Sequence, residues 1–304
     1  MTDAITSERE KRWAASSSVL AAIGLTTFKI LVGIATGSLG ILAEAAHSGL
    51  DLIAALMTWF AVQISGKPAD TVHPYGHGKV ENLSALFETV LLLITCVWII
   101  YGAIHRLQAH TIEIEVTAWS FAVMATSIIV DFSRSRMLYR VARRYNSQAL
   151  EADALHFSTD IWSSSVVIVG LISVKVSEWV PAWGFLRYSD AVAAIVVAVI
   201  VVHVSIKLGL RTIQALLDAA PAGVDRQIVS AVEALPGVTD CHNVRVRYSG
   251  PRAFVDVHVL VDGGQTLRQA HELTEQIEHA IQTVLPEADV TVHPEPRTEP
   301  GGAA

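Results

Sequence analysis

Six apolar runs, each approaching or exceeding the ~20 residues that an α-helix needs to cross a bilayer, leave this chain little choice of architecture. They lie at about 13–35, 39–63, 82–107, 115–138, 150–177 and 187–212. Over its 304 residues the chain is 52% hydrophobic and 17% charged, with a mean hydropathy of +0.44. Soluble domains average ~25% charged residues, so the expected class is a polytopic α-helical membrane protein of six transmembrane helices. The first two runs are joined by TGSLG, short enough for a tight helical hairpin. The second and third are joined by SGKPADTVHPYGHGK, whose prolines keep it from being helical throughout. RSRMLYRVARRYNSQ is the basic connection expected between the fourth and fifth, and VPAWGFLRYSD that between the fifth and sixth.

Orientation follows from lysine and arginine placement. Arg9, Lys11, Arg12, Lys67, Lys79, Arg134, Arg136, Arg140, Arg143, Arg144 and Arg211 fall on one side of these runs, and Arg106 and Arg187 on the other. By the positive-inside rule both termini are cytoplasmic. The polar start, residues 1–12, carries no cleavage site after the first apolar run, so that run is expected to be retained.

After LLDAAPAG the composition becomes that of a small soluble domain, 221–296, following a linker at 214–220. VDRQIVSAVEAL reads as a helix, VRVRYS as a strand, and AFVDVHVLV as a half-buried strand of period two. TLRQAHELTEQIEHAIQTVL is an amphipathic helix, and DVTVHP closes with a strand. The order αββαβ predicts a ferredoxin- or metallochaperone-like α+β sandwich, followed by a disordered Pro/Gly-rich tail, 297–304.

Two of the apolar runs carry the same polar signature. His47 and Asp51 are four residues apart in AHSGLD, and His156 and Asp160 repeat the spacing in LHFSTD. On a helix, i and i+4 share a face. Ionisable groups inside a span are costly and ordinarily face a polar pathway. Two such helices facing each other would supply two imidazoles and two carboxylates, the four-ligand set that suits Zn²⁺, and the carboxylates would offset the cost of holding a dication at bilayer depth. The competing reading has each histidine in a local polar contact and each aspartate paired with lysine, and only Lys29 lies deep enough to serve.

The connection after the second run holds Asp70, His73 and His77, a spacing that fits either a three-ligand metal loop or a solvated loop with incidental histidines. The soluble domain holds His242, His258, His271, His293 and Glu295, which form a metal cluster only if they converge. His258 shares a strand face with Phe254, Asp256 and Leu260, His242 and His293 flank strand ends, and His271 starts a helix.

Other classes are disfavoured. A net charge of −7 with no basic, aromatic-interleaved stretch argues against nucleic-acid binding. Cys96 and Cys241 form no disulfide framework. HELTE lacks the second histidine of a metalloprotease helix, and TGSLG has no phosphate-loop Lys-Ser/Thr. Glu44 and Asp131 stand near the paired motifs without a role that spacing assigns.

In combination, SLGILAEAAHSGLD, ALEADALHFSTD and PADTVHPYGHGKVENL resemble the motifs of the cation diffusion facilitator family, the last being similar to its bacterial zinc/iron efflux branch. The resemblance runs from the first span through DVTVHPEP. It implies a homodimer in a bacterial inner membrane that exchanges cytoplasmic Zn²⁺, with Cd²⁺, Fe²⁺ and Co²⁺ as further candidates, for protons by alternating access. The implied transport site is His47, Asp51, His156 and Asp160, and the implied loop site is Asp70, His73 and His77. The implied cytoplasmic site, where Zn²⁺ is a structural or regulatory ligand, draws on His242, His258, His271 and His293, with Glu295 where that branch often has aspartate. Lys79 and Asp218 match an interprotomer ion-pair latch. His47 departs from the zinc/iron branch, which often has aspartate there, and nitrogen ligation shifts preference from Mn²⁺ and Fe²⁺ toward Zn²⁺.

A membrane-anchored metal sensor or storage protein is the alternative from another class, but a site sealed among six spans suits transport better. An intramembrane metalloenzyme would need an open coordination position, which four protein ligands close. The chain is therefore expected not to be an enzyme.

Overall fold

The computed structural model describes residues 2–109, 118–179 and 189–297. Arg187, most of the connection between the fifth and sixth spans, and the tail beyond 297 lie outside the described residues. Six long helices come first: α1 (Thr2–Thr36), α2 (Leu39–Ser65), α3 (Lys79–Ala109), α4 (Ala118–Tyr145), α5 (Gln148–Trp179) and α6 (Ser189–Leu216). Two shorter helices and three strands follow: α7 (Val224–Glu233), β1 (Val238–Ser249), β2 (Arg252–Val261), α8 (Leu267–Val284) and β3 (Asp289–Pro296). The chain divides into two compact units, one of Met1–Lys67 with Val80–Ile213, the other of Pro68–Lys79 with the segment from Gln214 onward.

Among the described residues, four helical stretches are long and apolar enough to cross a membrane: Thr6–Thr36, Glu44–Ser65, Lys79–His105 and Ile195–Leu216. α4 and α5 have the length, but α4 carries Asp131, Arg134, Arg136 and Arg140, and α5 carries Glu151, Asp153 and Asp160. α1 and α2 turn on Gly37, whose φ of 66° suits glycine, and the Ser38 hydroxyl accepts the Ile41 N–H at 3.4 Å to cap α2. α1, α2, α4 and α5 pack on small side chains, with Ala14, Ala15, Ala22, Ala55, Ala142 and Ala154 buried around Leu138, Leu150 and Phe157. Such residues let helix backbones approach closely in a setting where lipid removes any hydrophobic drive between helices. α3 and α6 meet where the position of a Gly209 Cβ would stand 3.1 Å from the Thr89 methyl.

Two elements differ from the sequence expectation. The polar N-terminal segment is not a separate stretch but part of α1. The buried Lys11 ammonium bridges to Glu8 at 2.5 Å and to Glu81 of α3 at 3.0 Å, and Glu81 also accepts from Ser65 at 2.9 Å and from Ser147. The basic connection expected after the fourth span is likewise helical, because α4 runs to Tyr145 and leaves only Asn146 and Ser147 as the turn. Arg143 lies over the Tyr139 ring at 4.5 Å, and arginines in a last turn suit the negative end of the helix dipole.

The second unit has the expected αββαβ order. Its sheet runs β1-β2-β3, with β1 antiparallel and β3 parallel to β2. Val255, Val257, Val259 and Val261 alternate inward against Ile228 and Val232 of α7 and Leu273, Ile277 and Ile281 of α8. Thr266 and Gln269 close a capping box at the start of α8. The loop 68–79 belongs to this unit. Tyr75 stands edge-on to Phe254 with ring centroids 5.3 Å apart, and the Arg247 guanidinium lies 3.9 Å from the Tyr75 centroid. Gly78 abuts the Ser249–Gly250 backbone, where a Cβ would clash.

Candidate metal sites

α2 and α5 each present one His-x-x-x-Asp pair, and the structure brings the pairs together. His156 Nε2 lies 3.1 Å from Asp51 Oδ1 and 3.8 Å from Asp160 Oδ2, while His47 Nε2 lies 3.7 Å from Asp160 Oδ1 and 3.8 Å from Asp51 Oδ1. A tetrahedral Zn²⁺ with bonds of ~2.0–2.1 Å requires ligand atoms about 3.3 Å apart; the His156–Asp51 contact is close to that edge, the other three are wider, and Asp160 meets the two rings with different oxygens. Lys29 is not the partner of either aspartate in these contacts. It bridges to Glu44 at 3.3 Å and donates to the Ser48 hydroxyl at 2.7 Å. Asp131 pairs with Arg134 at 3.4 Å. Both residues that spacing left without a role are thereby engaged by neighbouring cations.

In the loop, Asp70 faces both rings: His73 Nδ1 at 3.3 Å and His77 Nε2 at 3.3 Å. Its carboxylate also accepts the His73 N–H at 2.6 Å and the Val72 N–H at 2.9 Å. These backbone bonds, that of His73 foremost, hold the Asp70 carboxyl below the usual carboxylate range. The turn thus points an ionised oxygen at two imidazoles, a three-ligand arrangement with room for a fourth.

On the sheet, pairing register does what spacing could not reveal. His242 is opposite His258, and His258 is opposite His293, so three imidazoles form one cross-strand row. Glu295 sits beside that row: His258 Nδ1 is 2.7 Å from Oε1, His293 Nε2 3.7 Å from Oε1, and His242 Nε2 3.5 Å from Oε2. The His258 ring is the main cause holding the Glu295 carboxyl below its ordinary range. His242 lies within β1 rather than at its end, because the strand starts at Val238 and absorbs an irregularity between His242 and Arg245, with Asn243 at φ 54°. Asp240, which sequence reasoning passed over, lies 2.8 Å from His242 Nδ1 and orients that ring, as carboxylates behind metal-binding histidines do. His271 does not join the row; it is exposed on α8, 3.6 Å from Glu275. Lys79 and Asp218 meet at 2.9 Å within one chain, so the ion pair implied between protomers is here an intrachain contact.

Residues 16–217 match the model of the cation efflux transmembrane domain, and 221–297 that of the cation efflux protein cytoplasmic domain. The cation-efflux pump FieF of Yersinia pestis (strain Pestoides F) is 33% identical over 296 residues, covering 94% of this chain and 93% of the relative. FieF of Yersinia pseudotuberculosis serotype O:3 (strain YPIII) matches with the same values, 33% over 296 residues. Among solved structures, a MamM CTD variant in a nickel form matches at 30% identity and TM-score 0.25, covering 26% of this chain and 100% of that one. A cadmium form matches at 31% identity and TM-score 0.24, covering 25% of this chain and 98% of that one.

A multi-pass membrane domain followed by a small α+β domain, matched throughout by cation-efflux models, defines the class as a divalent-cation exporter. The chain belongs to the cation diffusion facilitator family, whose members are transporters rather than enzymes.

Proposed function

We propose that this protein exports Zn²⁺ from the cytoplasm across a bacterial inner membrane in exchange for protons, by alternating access and as a homodimer with both termini cytoplasmic. The observation that carries the reading is the meeting of His47, Asp51, His156 and Asp160 from α2 and α5, with ring-to-carboxylate contacts of 3.1 to 3.8 Å. Two carboxylates neutralise the cargo, and two nitrogens bias selection toward Zn²⁺ over Mn²⁺ and Fe²⁺ while leaving Cd²⁺ and Co²⁺ as further substrates. Because each imidazole must be deprotonated to bind metal, protons and Zn²⁺ compete for the same atoms. An inward proton gradient then favours metal release wherever the site faces outward.

In this reading residues 13–213 are the transport domain, 214–220 a linker, and 221–296 a metal-binding dimerisation domain. The loop site, Asp70, His73 and His77, and the row His242, His258 and His293 with Glu295 bind Zn²⁺ as regulatory or structural ligands, and His271 serves only if a partner protomer brings a ligand to it. Lys79 and Asp218 tie the loop to the linker. The test is uptake by proteoliposomes: purified protein under an imposed pH gradient should carry Zn²⁺ with counterflow of protons, read by a trapped pH dye. Zinc movement without proton counterflow would refute antiport, and no movement of Zn²⁺, Cd²⁺, Fe²⁺ or Co²⁺ would refute the transport reading.

A further inference from the structure

His156 is the more buried imidazole of the four-ligand group, and no hydrogen bond stands behind its orientation. Nε2 faces Asp51 Oδ1 at 3.1 Å, while Nδ1 is buried with no hydrogen-bond partner among the described residues. A metal-binding histidine ordinarily donates its other ring N–H to a carboxylate, a carbonyl or water, which fixes both tautomer and ring. The sheet follows that rule at His242, whose Nδ1 meets Asp240 at 2.8 Å. His156 is held in another way.

Two adjacent residues of α4 grip α5 on both sides of it. Ser135 Oγ donates to the Ala154 carbonyl at 2.8 Å and lies 2.7 Å from the Ser158 hydroxyl. Arg134, itself buried, lays its guanidinium over the Phe157 ring, with Cζ 3.5 Å from the centroid. Phe157 is buried too and stands edge-on to the His156 ring, centroids 5.5 Å apart. Successive side chains on a helix point about 100° apart, so this contact depends on where the Phe157 ring is kept.

The guanidinium is fixed in turn. Nη1 donates to Asp131 Oδ1 at 3.4 Å, one turn earlier on α4, and Nη2 to Ser18 Oγ of α1 at 3.0 Å. The Ser18 hydroxyl donates to Asp153 Oδ2 at 3.1 Å. Asp153 and Phe157 are four residues apart on α5, with His156 between them. One arginine therefore meets both ends of this turn, directly at Phe157 and through Ser18 at Asp153. Face-on stacking combined with a rigid two-nitrogen fork is a property of guanidinium that an ammonium lacks.

We propose that Arg134, acting through Phe157, is a positioning residue for His156, holding the ring by packing so that Nε2 faces the metal while Nδ1 stays unbonded. The proposal rests on the transport reading for its physiological meaning. A carboxylate on Nδ1 would orient the ring and also make it more basic, tightening the hold on the ion. A stack supplies orientation without that added affinity, which suits a site that has to release its cargo. The other use of this arginine would be as a fixed positive charge acting on the cargo from a distance. Arg134→Lys separates the two, because it keeps the charge and loses the stack.

The experiment uses full-length protein in two assays. Zn²⁺ flux is measured in proteoliposomes, and Zn²⁺ binding by isothermal titration in a background of Asp70→Ala, His258→Ala and Glu295→Ala, which disables the loop and sheet sites. Arg134→Lys and Phe157→Leu should each raise the KM for Zn²⁺ about tenfold, the lower end of the cost of losing a ring-orienting partner, with kcat within about twofold. Each should weaken the titrated Kd by the same factor. The two together should raise KM no further than either alone, because they break one contact. A merely structural role would reduce the folded fraction, and so the maximal flux, at unchanged KM. That outcome, an unchanged Kd, or a double variant whose effect is the product of the two singles would overturn the proposal. Should Arg134→Lys fail to give a monodisperse protein, the KM and Kd of Phe157→Leu decide the matter alone. If wild type carries no metal at all, the transport reading fails while the Zn²⁺ titration still judges Arg134 and Phe157.

Discussion

Replacing Asp51 by asparagine keeps the shape of the four-ligand group and removes half of its formal charge. Asp51 faces both imidazoles, at 3.1 Å from His156 and 3.8 Å from His47, so no other carboxylate in the group can take over its position without moving α2 against α5. With Asp160 alone, a dication would keep one uncompensated positive charge at bilayer depth. Removing one partner from a buried charge pair costs about 3–5 kcal/mol, because the remaining charge is left without compensation. At about 1.4 kcal/mol per tenfold, Zn²⁺ affinity at this site should fall roughly 10²–10³-fold or more. The asparagine amide can still hydrogen-bond His156, so insertion and thermal stability should stay close to wild type. The assay is Zn²⁺ flux into proteoliposomes with a zinc dye, paired with isothermal titration of the same preparation. Flux within tenfold of wild type in a well-folded Asp51→Asn protein would refute the assignment of this carboxylate as a ligand.

Three further outcomes are expected. His47→Asp replaces nitrogen by oxygen and should raise Mn²⁺ and Fe²⁺ transport relative to Zn²⁺ in competition flux assays, and an unaltered ion profile would remove His47 from the ligand set. Gly78→Ala places a Cβ against the Ser249 carbonyl, an overpacking that costs about 1–3 kcal/mol, and should release the 68–79 loop, seen as faster tryptic cleavage at Lys67 or Lys79; unchanged proteolysis would speak against the packed loop. The Glu295 carboxyl is held below its ordinary range, so its stabilising effect is fully present above about pH 4.3 and is lost as pH falls through its lower folded value. Glu295→Gln should therefore lower the Tm of the full chain above that pH and flatten its acid dependence, and a parallel shift at all pH values would contradict this.

The paired motifs were legible because helical geometry is local. Once two apolar runs are long enough to span a membrane, four-residue spacing alone puts His47 with Asp51 and His156 with Asp160 on single faces. Repetition of the pattern then points to a shared destination. The αββαβ order was legible for the same reason, since Val255 to Val261 and Leu273 to Ile281 each obey a local period.

What depended on the tertiary structure is everything set by contact between distant segments. The row His242, His258 and His293 exists because of strand register, which a bulge near Asn243 alters and no spacing encodes, and the same register leaves His271 apart. The 68–79 loop joined the C-terminal unit because Tyr75, Arg247 and Phe254 stack and Gly78 admits the backbone of Ser249, none of which a polar, proline-containing stretch announces. Glu88 and Asp153 are acids within apolar runs that sequence reasoning did not single out. That each is fully buried, Glu88 against the Thr58 hydroxyl of α2 and Asp153 against the Ser18 hydroxyl of α1, with its other oxygen unpartnered among the described residues, follows only from how these helices are packed. Periodicity along one element is written in the chain, whereas the meeting of two elements is decided by packing, and each of the candidate metal sites on the sheet and in the helices is completed by such a meeting.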